Sequence, residues 1–206
     1  MAGQAAGVSA PAGPQLWVSH YVGLGDAQAT AIAASPSGGT VFVTGDTTGS
    51  QTPADYATVA YDAATGAQLW ASRYDGPGNG SDGTGAIAVS PDGTRVFVTG
   101  SSQGSGTSAD YATIAYNAAT GARLWVRRYN DSRNGEDFAT ALALSPDGRT
   151  ALVTGSSGSG HREDFATIAY SAATGAELWI RRYDGPASSF DVPHAMTVSL
   201  DSRLAP

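Results

Sequence analysis

An all-β chain built from stacked four-stranded units is predicted by three observations. Leu16-Trp17, Leu69-Trp70, Leu124-Trp125 and Leu178-Trp179 head near-identical segments, with Trp spacings of 53, 55 and 54 residues. Self-similarity at a fixed period marks units that cannot bury their apolar faces alone and must stack on neighbours. Within each period, four strand-length runs alternate β-branched or aromatic residues with smaller ones, and turn residues bound every run. Glycine is abundant, at 27 of 206 residues, while charged residues make up only 14%, which suits short strands and tight turns better than a helical surface.

The second period shows the unit most clearly. Strand A runs over 85–90, Pro91-Asp92-Gly93 turns it, and strand B runs over 95–100. After a polar loop, strand C covers 110–116, Asn117-Ala118-Ala119-Thr120-Gly121 turns the chain again, and strand D covers 123–129. The first turn recurs as Ser35-Pro36-Ser37-Gly38 and Ser145-Pro146-Asp147-Gly148, in which Pro presets φ and Gly accepts a positive φ. Asp62, Asn117 and Ser171 each precede Ala-Ala-Thr-Gly, and each side chain can accept a local backbone N–H. Strand A is rich in alanine (Ala29, Ala31 and Ala33 in the first copy), alternating with Ile32, Ile87, Val89, Leu142 and Leu144 elsewhere. Sheets arranged radially crowd at the axis and splay at the rim, so a small inner strand and an outer strand carrying Trp, Tyr and Arg predict a β-propeller blade. A sandwich does not repeat its sequence, and β-helix coils are usually much shorter than this period.

Strand D carries a more specific signal. Ala60-Tyr-Asp62-Ala-Ala-Thr65-Gly66-Ala-Gln-Leu-Trp70 resembles the tryptophan-docking motif A-x-D-x-x-T-G-x-x-x-W of quinoprotein-like (PQQ-like) propellers. Ala115, Thr120, Gly121 and Trp125, and Ala169, Thr174, Gly175 and Trp179, keep the pattern, with Asn117 and Ser171 in place of the Asp. The resemblance implies that Trp70, Trp125 and Trp179 pack between adjacent blades against the Ala and Gly of the next motif, Gly66, Gly121 and Gly175 being the glycines of the three motifs. Trp17 closes the first interface by analogy. Secreted bacterial propeller-repeat proteins rich in Asp-Tyr-Ala-Thr and Ser-Pro-Asp-Gly look similar.

The phase of the array predicts a lone D strand over 16–21, three complete blades over roughly 28–74, 83–129 and 138–183, and a degenerate A strand over 194–199 that begins a partial fourth blade. Residues 1–14, rich in Ala, Gly and Pro, read as a flexible lead-in without a signal-peptide pattern, and 15–206 as one propeller domain with an incomplete ring. Such an arc is a fragment of a longer propeller or is completed by a second chain, so a homo-oligomer is among the expected assemblies.

Composition narrows the function. A formal charge of -7 argues against nucleic acid and an anionic membrane surface, and no apolar run is long enough to insert into a bilayer. There is no cysteine, hence no disulfide, thiolate nucleophile or Cys-ligated metal. His20, His161 and His194 share no register. Ser and Thr are plentiful, but they fall in turns and strands and not on a strained nucleophile elbow of the G-x-S-x-G type. Arg73, Arg127-Arg128 and Arg181-Arg182 on strand D read as a solvated rim.

The longer B–C and D–A connections fall on one face of the meander and differ between copies, which makes them the expected binding surface. Asp55, Asp110 and Asp164 open strand C there, and Asp82, Asp137 and Asp191 precede strand A, so these six are the candidate binding-face residues. Asn130-x-Ser132-x-Asn134-Gly135 distantly resembles a Ca²⁺ loop, but the other copies lose that pattern, and turn-capping is the favoured role of the carboxylates. The expectation is therefore a non-catalytic scaffold or binding module, extracellular or periplasmic, with no metal and no cofactor, that takes a protein or glycan. The alternatives are a fragment of a PQQ-dependent oxidoreductase and a self-assembling structural repeat. The adjacent cysteine pair of many quinoprotein alcohol dehydrogenases is missing.

Overall fold

The computed structural model describes residues 15–23, 25–48, 53–159, 162–186 and 191–199. They form three four-stranded antiparallel sheets, each a meander in chain order, and no helix occurs among them. The first comprises β1 (Ala27–Ala34), β2 (Thr40–Thr47), β3 (Asp55–Asp62) and β4 (Gln68–Tyr74). The second comprises β5 (Asp82–Val89), β6 (Arg95–Gln103), β7 (Ala109–Asn117) and β8 (Arg123–Tyr129), and the third β9 (Glu136–Leu144), β10 (Thr150–Ser159), β11 (Arg162–Ser171) and β12 (Glu177–Tyr183). These are the three complete blades, I to III, of a β-propeller arc.

The tight turns form as their residues dictate. Gly38, Gly93 and Gly148 sit at φ 73°, 70° and 70°, and their amides donate to Ser35, Ser90 and Ser145 carbonyls at 2.8 Å. At the C–D turn, Asp62 Oδ1 accepts from the amides of Ala64 (3.1 Å) and Thr65 (2.8 Å), and Asn117 Oδ1 does the same for Ala119 and Thr120 at 3.0 Å. The shorter side chain of Ser171 shows no such bond. Ala63, Ala118 and Ala172 then donate to Gly39, Thr94 and Arg149 carbonyls, so the A–B and C–D turns share one end of each blade.

Strand A carries a bulge in blades I and II, between Ala29 and Ala31 and between Thr84 and Ala86, and the A–B pairing of blade III shifts between Thr154 and Gly155. The carbonyls of Gln28, Gly83 and Phe138 are thereby pressed against Gly45, Gly100 and Gly155, where a Cβ would collide with backbone. This contact explains the repeated Val-Thr-Gly at the same place in strand B. The A strands lie beside one another at the inner side of the arc, where Thr30 and Thr84 hydroxyls meet at 2.6 Å.

Two buried clusters hold the blades together. Phe42, Tyr56, Trp70 and Tyr74 of blade I pack on Val96, Val98, Ile114 and Tyr116 of blade II. Phe97, Tyr111 and Trp125 of blade II pack on Val153, Ile168 and Tyr170 of blade III. Tyr56 and Tyr111 are fully buried and donate across the junctions to Ala112 and Ala166 carbonyls at 3.4 Å. Burial pushes both phenols above their ordinary range, which keeps them protonated as donors. The third copy has Phe165 here, stacked on Tyr183 at 5.0 Å.

Each Trp reaches forward to the next C–D turn. Indole Nε1–H of Trp17, Trp70 and Trp125 donates to Ala63 (2.9 Å), Ala118 (2.9 Å) and Ala172 (3.2 Å) carbonyls. The rings cover Gly66, Gly121 and Gly175, at φ 72°, 70° and 69°, where a Cβ would come within 2.6–2.7 Å of the indole. Trp179 departs from this arrangement, being 39% exposed with Arg181 over its ring at 6.0 Å.

The two partial elements expected at the ends differ from the strands predicted for them. Residues 15–23 carry Trp17 to its place on Gly66 but make no ladder, and 191–199 make no strand either. Pro193 supplies no N–H for a ladder, although its carbonyl accepts from Thr140 of β9 at 3.0 Å. Residues 1–14, expected as a flexible lead-in, and 200–206 lie outside the described residues.

Trp70→Ala or Trp125→Ala should lower stability in urea unfolding by about 3–5 kcal/mol, while Trp179→Ala should cost less than half as much. At the A–B turn, the Ser90 hydroxyl and the Thr94 amide and hydroxyl hold the Asp92 carboxyl down at about 2. Its contribution is therefore complete above the unfolded value near 3.8 and lost as pH falls through about 2, a midpoint that NMR titration of the carboxyl should report.

Candidate functional site

Opposite the tight turns, the B–C and D–A connections meet. The Asp82 amide donates to the Ala54 carbonyl at 2.9 Å, the Gly78 amide to Gln103 at 3.2 Å and the Asp191 amide to Glu163 at 2.8 Å. The six aspartates anticipated from the sequence all fall here, and five are buried: Asp55 (5% exposed), Asp82 (1%), Asp110 (5%), Asp137 (0%) and Asp164 (8%).

The strand-C aspartates are held by arginine. Arg73 Nη2 donates to Asp55 Oδ2 at 2.6 Å, Arg128 to Asp110 at 2.8 Å and Arg182 to Asp164 at 3.2 Å. Arg128 also donates to the Ser102 hydroxyl and carbonyl, both at 2.6 Å, and to Tyr74 of blade I at 3.1 Å. Arg182 repeats this on Ser157 and on Tyr129 of blade II, the latter at 2.7 Å. These arginines were expected on a solvated rim. Instead, strand C supplies a carboxylate directly beside them, and each folds inward as a clamp. Arg127 reaches the other way, to Gly175 (2.7 Å) and Thr174 (3.0 Å) carbonyls of the next C–D turn.

The strand-A aspartates bind amides. Asp82 accepts from Gly76 at 2.6 Å and Gln103 at 3.0 Å, Asp137 from Asp131 at 2.8 Å, and Asp191 from Gly185. Burial raises the Asp82 carboxyl and pushes that of Asp137 up to about 6.

The structure adds a third position to each pair. Asp75 and Asp184, directly after strand D, bring a carboxylate oxygen within 4.8 Å of one on each of the other two, forming Asp55–Asp75–Asp82 and Asp164–Asp184–Asp191. Asn130 holds the same position in blade II. In the sequence Asn130 heads the stretch that distantly resembles a Ca²⁺ loop, and Asp75 and Asp184 head the connections that lose that pattern; the signal all three share is their place immediately after the repeated Arg-Tyr. Neither group includes a histidine, and His161 lies outside the described residues.

A separate cleft of about 360 Å³ lies on the outer face of blade I, walled by Trp17, His20, Tyr21, Ile32, Val43 and Tyr61. In blade II the matching surface, Ile87, Val96, Val98 and Tyr116, is covered by blade I.

Breaking a clamp should be costly where the carboxylate is buried. Arg128→Met strands Asp110 and should destabilise by about 2–3 kcal/mol in thermal or urea unfolding, at the lower end for a buried charge because Arg128 keeps some water contact. Arg149→Ala, whose partner Asp147 is exposed at 3.9 Å, should leave the unfolding midpoint unchanged.

A sequence-family model described as outer membrane protein assembly factor BamB, of PQQ-repeat type, matches residues 2–192. No curated protein sequence matches significantly. Among solved structures, BamB from Moraxella catarrhalis is similar at 20% identity and a TM-score of 0.44, over 75% of this chain and 37% of that one. Hydrazine synthase of Kuenenia stuttgartiensis is similar at 18% identity and a TM-score of 0.49, over 75% and 44%. The β-propeller domain of the Trilobed protease from Pyrococcus furiosus gives 9% and 0.47, over 76% and 43%. The chain spans less than half the length of each of these structures.

Proposed function

We propose that this chain, which belongs to the PQQ-type repeat family described as outer membrane protein assembly factor BamB, is a non-catalytic binding scaffold. Its B–C and D–A connections take a protein partner, with a glycan as the other ligand class. One observation carries the reading. On an otherwise repeated frame, the connections gathered at one end differ from blade to blade, while the charged residues beneath them are engaged in clamps and turns. A rigid base with variable loops is the arrangement from which binding surfaces are made. The family description supports action in the cell envelope or outside it, in line with an extracellular or periplasmic location. Residues 15–206 serve as one propeller domain, whose ring a second copy could complete.

The test is a binding screen of the purified chain against defined envelope proteins and a glycan array, repeated with the exposed Arg133, Asn134 and Glu136 of the D–A connection replaced by Ser, Gly and Ser. A ligand should bind the parent chain and weaken at least about tenfold, or 1.4 kcal/mol, on the loop variant. Binding that ignores loop replacement would contradict the reading. Titration with pyrroloquinoline quinone should give neither a spectral change nor a thermal shift; a saturable response would favour the oxidoreductase alternative.

A further inference from the structure

We propose that the junctions at the ends of the blades are hard divalent-cation sites, suited to Ca²⁺, each built from three repeat positions on three different segments. The ligand positions are the first residue of strand C, the residue after strand D, and the aspartate that opens or precedes the following A segment. They are Asp55, Asp75 and Asp82 after blade I and Asp164, Asp184 and Asp191 after blade III, with oxygens within 4.8 Å of one another in both groups.

Orphaned oxygens provide an independent indication. Asp55 and Asp110 give one oxygen to arginine, and the other, Oδ1, is buried with no donor reaching it. Asn130 Oδ1 is likewise buried and without a donor, so two of the three positions of the middle junction, Asp110 and Asn130, hold an unsatisfied oxygen. A buried oxygen left unpaired is destabilising, and such groups are rare unless a ligand completes them. Orphaned oxygens on Asp55 and Asp110, at one repeat position in two blades, and on Asn130 beside Asp110 form a pattern that turn-capping does not explain.

The charge fits as well. Three carboxylates and Arg73 leave two negative charges at the first junction, which one divalent cation neutralises. The donors are all oxygen, with no cysteine in the chain and no histidine in either group, which selects hard cations. Asp82 already binds two amides, yet a carboxylate has about four lone-pair sites and retains capacity for a metal. Asp75 and Asp184 are exposed and give the cation a way in. At the first junction the ion braces β3 and β4 to β5, and after blade III it fastens the segment bearing Asp191. The middle junction, with Asn130 for Asp, is the weakest. This inference stands independently of the binding reading above.

The experiment uses the whole chain, stripped with EDTA and dialysed against CaCl₂ at about 1 mM, the range of extracellular Ca²⁺ modules. Bound metal should reach at least two Ca²⁺ per chain, and the melting temperature should rise above that in EDTA. NaCl of equal ionic strength should not reproduce the rise. Asp75→Asn and Asp184→Asn alter exposed residues and should each weaken one site by roughly tenfold or more, the scale on which even outer-shell losses act. Asn130→Asp should instead strengthen the middle site, a gain that a purely structural role would not produce and that no folding defect could mimic. Fewer than one Ca²⁺ per chain at about 5 mM, or binding indifferent to the two Asn substitutions together, would overturn the proposal.

Discussion

The arc depends on one contact made three times: an indole laid over a glycine in the next C–D turn, with its N–H bonded to the carbonyl three residues before that glycine. A four-stranded sheet alone leaves two apolar faces in water, so the chain must make docking cheaper than exposure. Glycine answers two demands here, a positive φ that turns strand C into strand D and a surface flat enough for a ring. The bonded indole joins apolar burial to orientation, so that each blade is stacked at a defined angle.

Beneath the opposite end, charge takes over from apolar packing. Arg128 and Arg182 each tie a strand-C aspartate to the preceding blade's tyrosine, so that one guanidinium satisfies groups on two blades. Desolvating a carboxylate is expensive, and the guanidinium meets only one of its oxygens. The remaining oxygens gather where three segments meet. The residues that stiffen the loop face are thus the ones that create its demand for positive charge. Loop variation can proceed above this layer without disturbing it.

The frame was legible in the sequence because its determinants are local. Ser-Pro-Asp-Gly specifies a turn within four residues, and the Ala-x-Asp-x-x-Thr-Gly-x-x-x-Trp stretch holds both the docking glycine and the docking indole of one blade. What could not be read are pairings between residues of different strands. Arg128 alternates outward along strand D as a rim residue should, and only the register of β7 against β8 sets Asp110 close to it. Likewise Asp55, Asp75 and Asp82 belong to no linear motif, because a Ca²⁺ loop lies within one connection and these oxygens come from three segments. The ends were over-read as strands because the repeat pattern extends past the point where ladder partners exist to complete it.

Stacking makes the middle blade the most protected part of the molecule, since blades I and III each cover one of its faces. The most direct measurement of that arrangement is native-state hydrogen exchange resolved by strand. The account predicts that amides of β6 and β7 exchange only through global unfolding, with β1 and β12 opening at lower free energy. Equal protection in all three sheets, or a middle blade that exchanges faster than its neighbours, would contradict it.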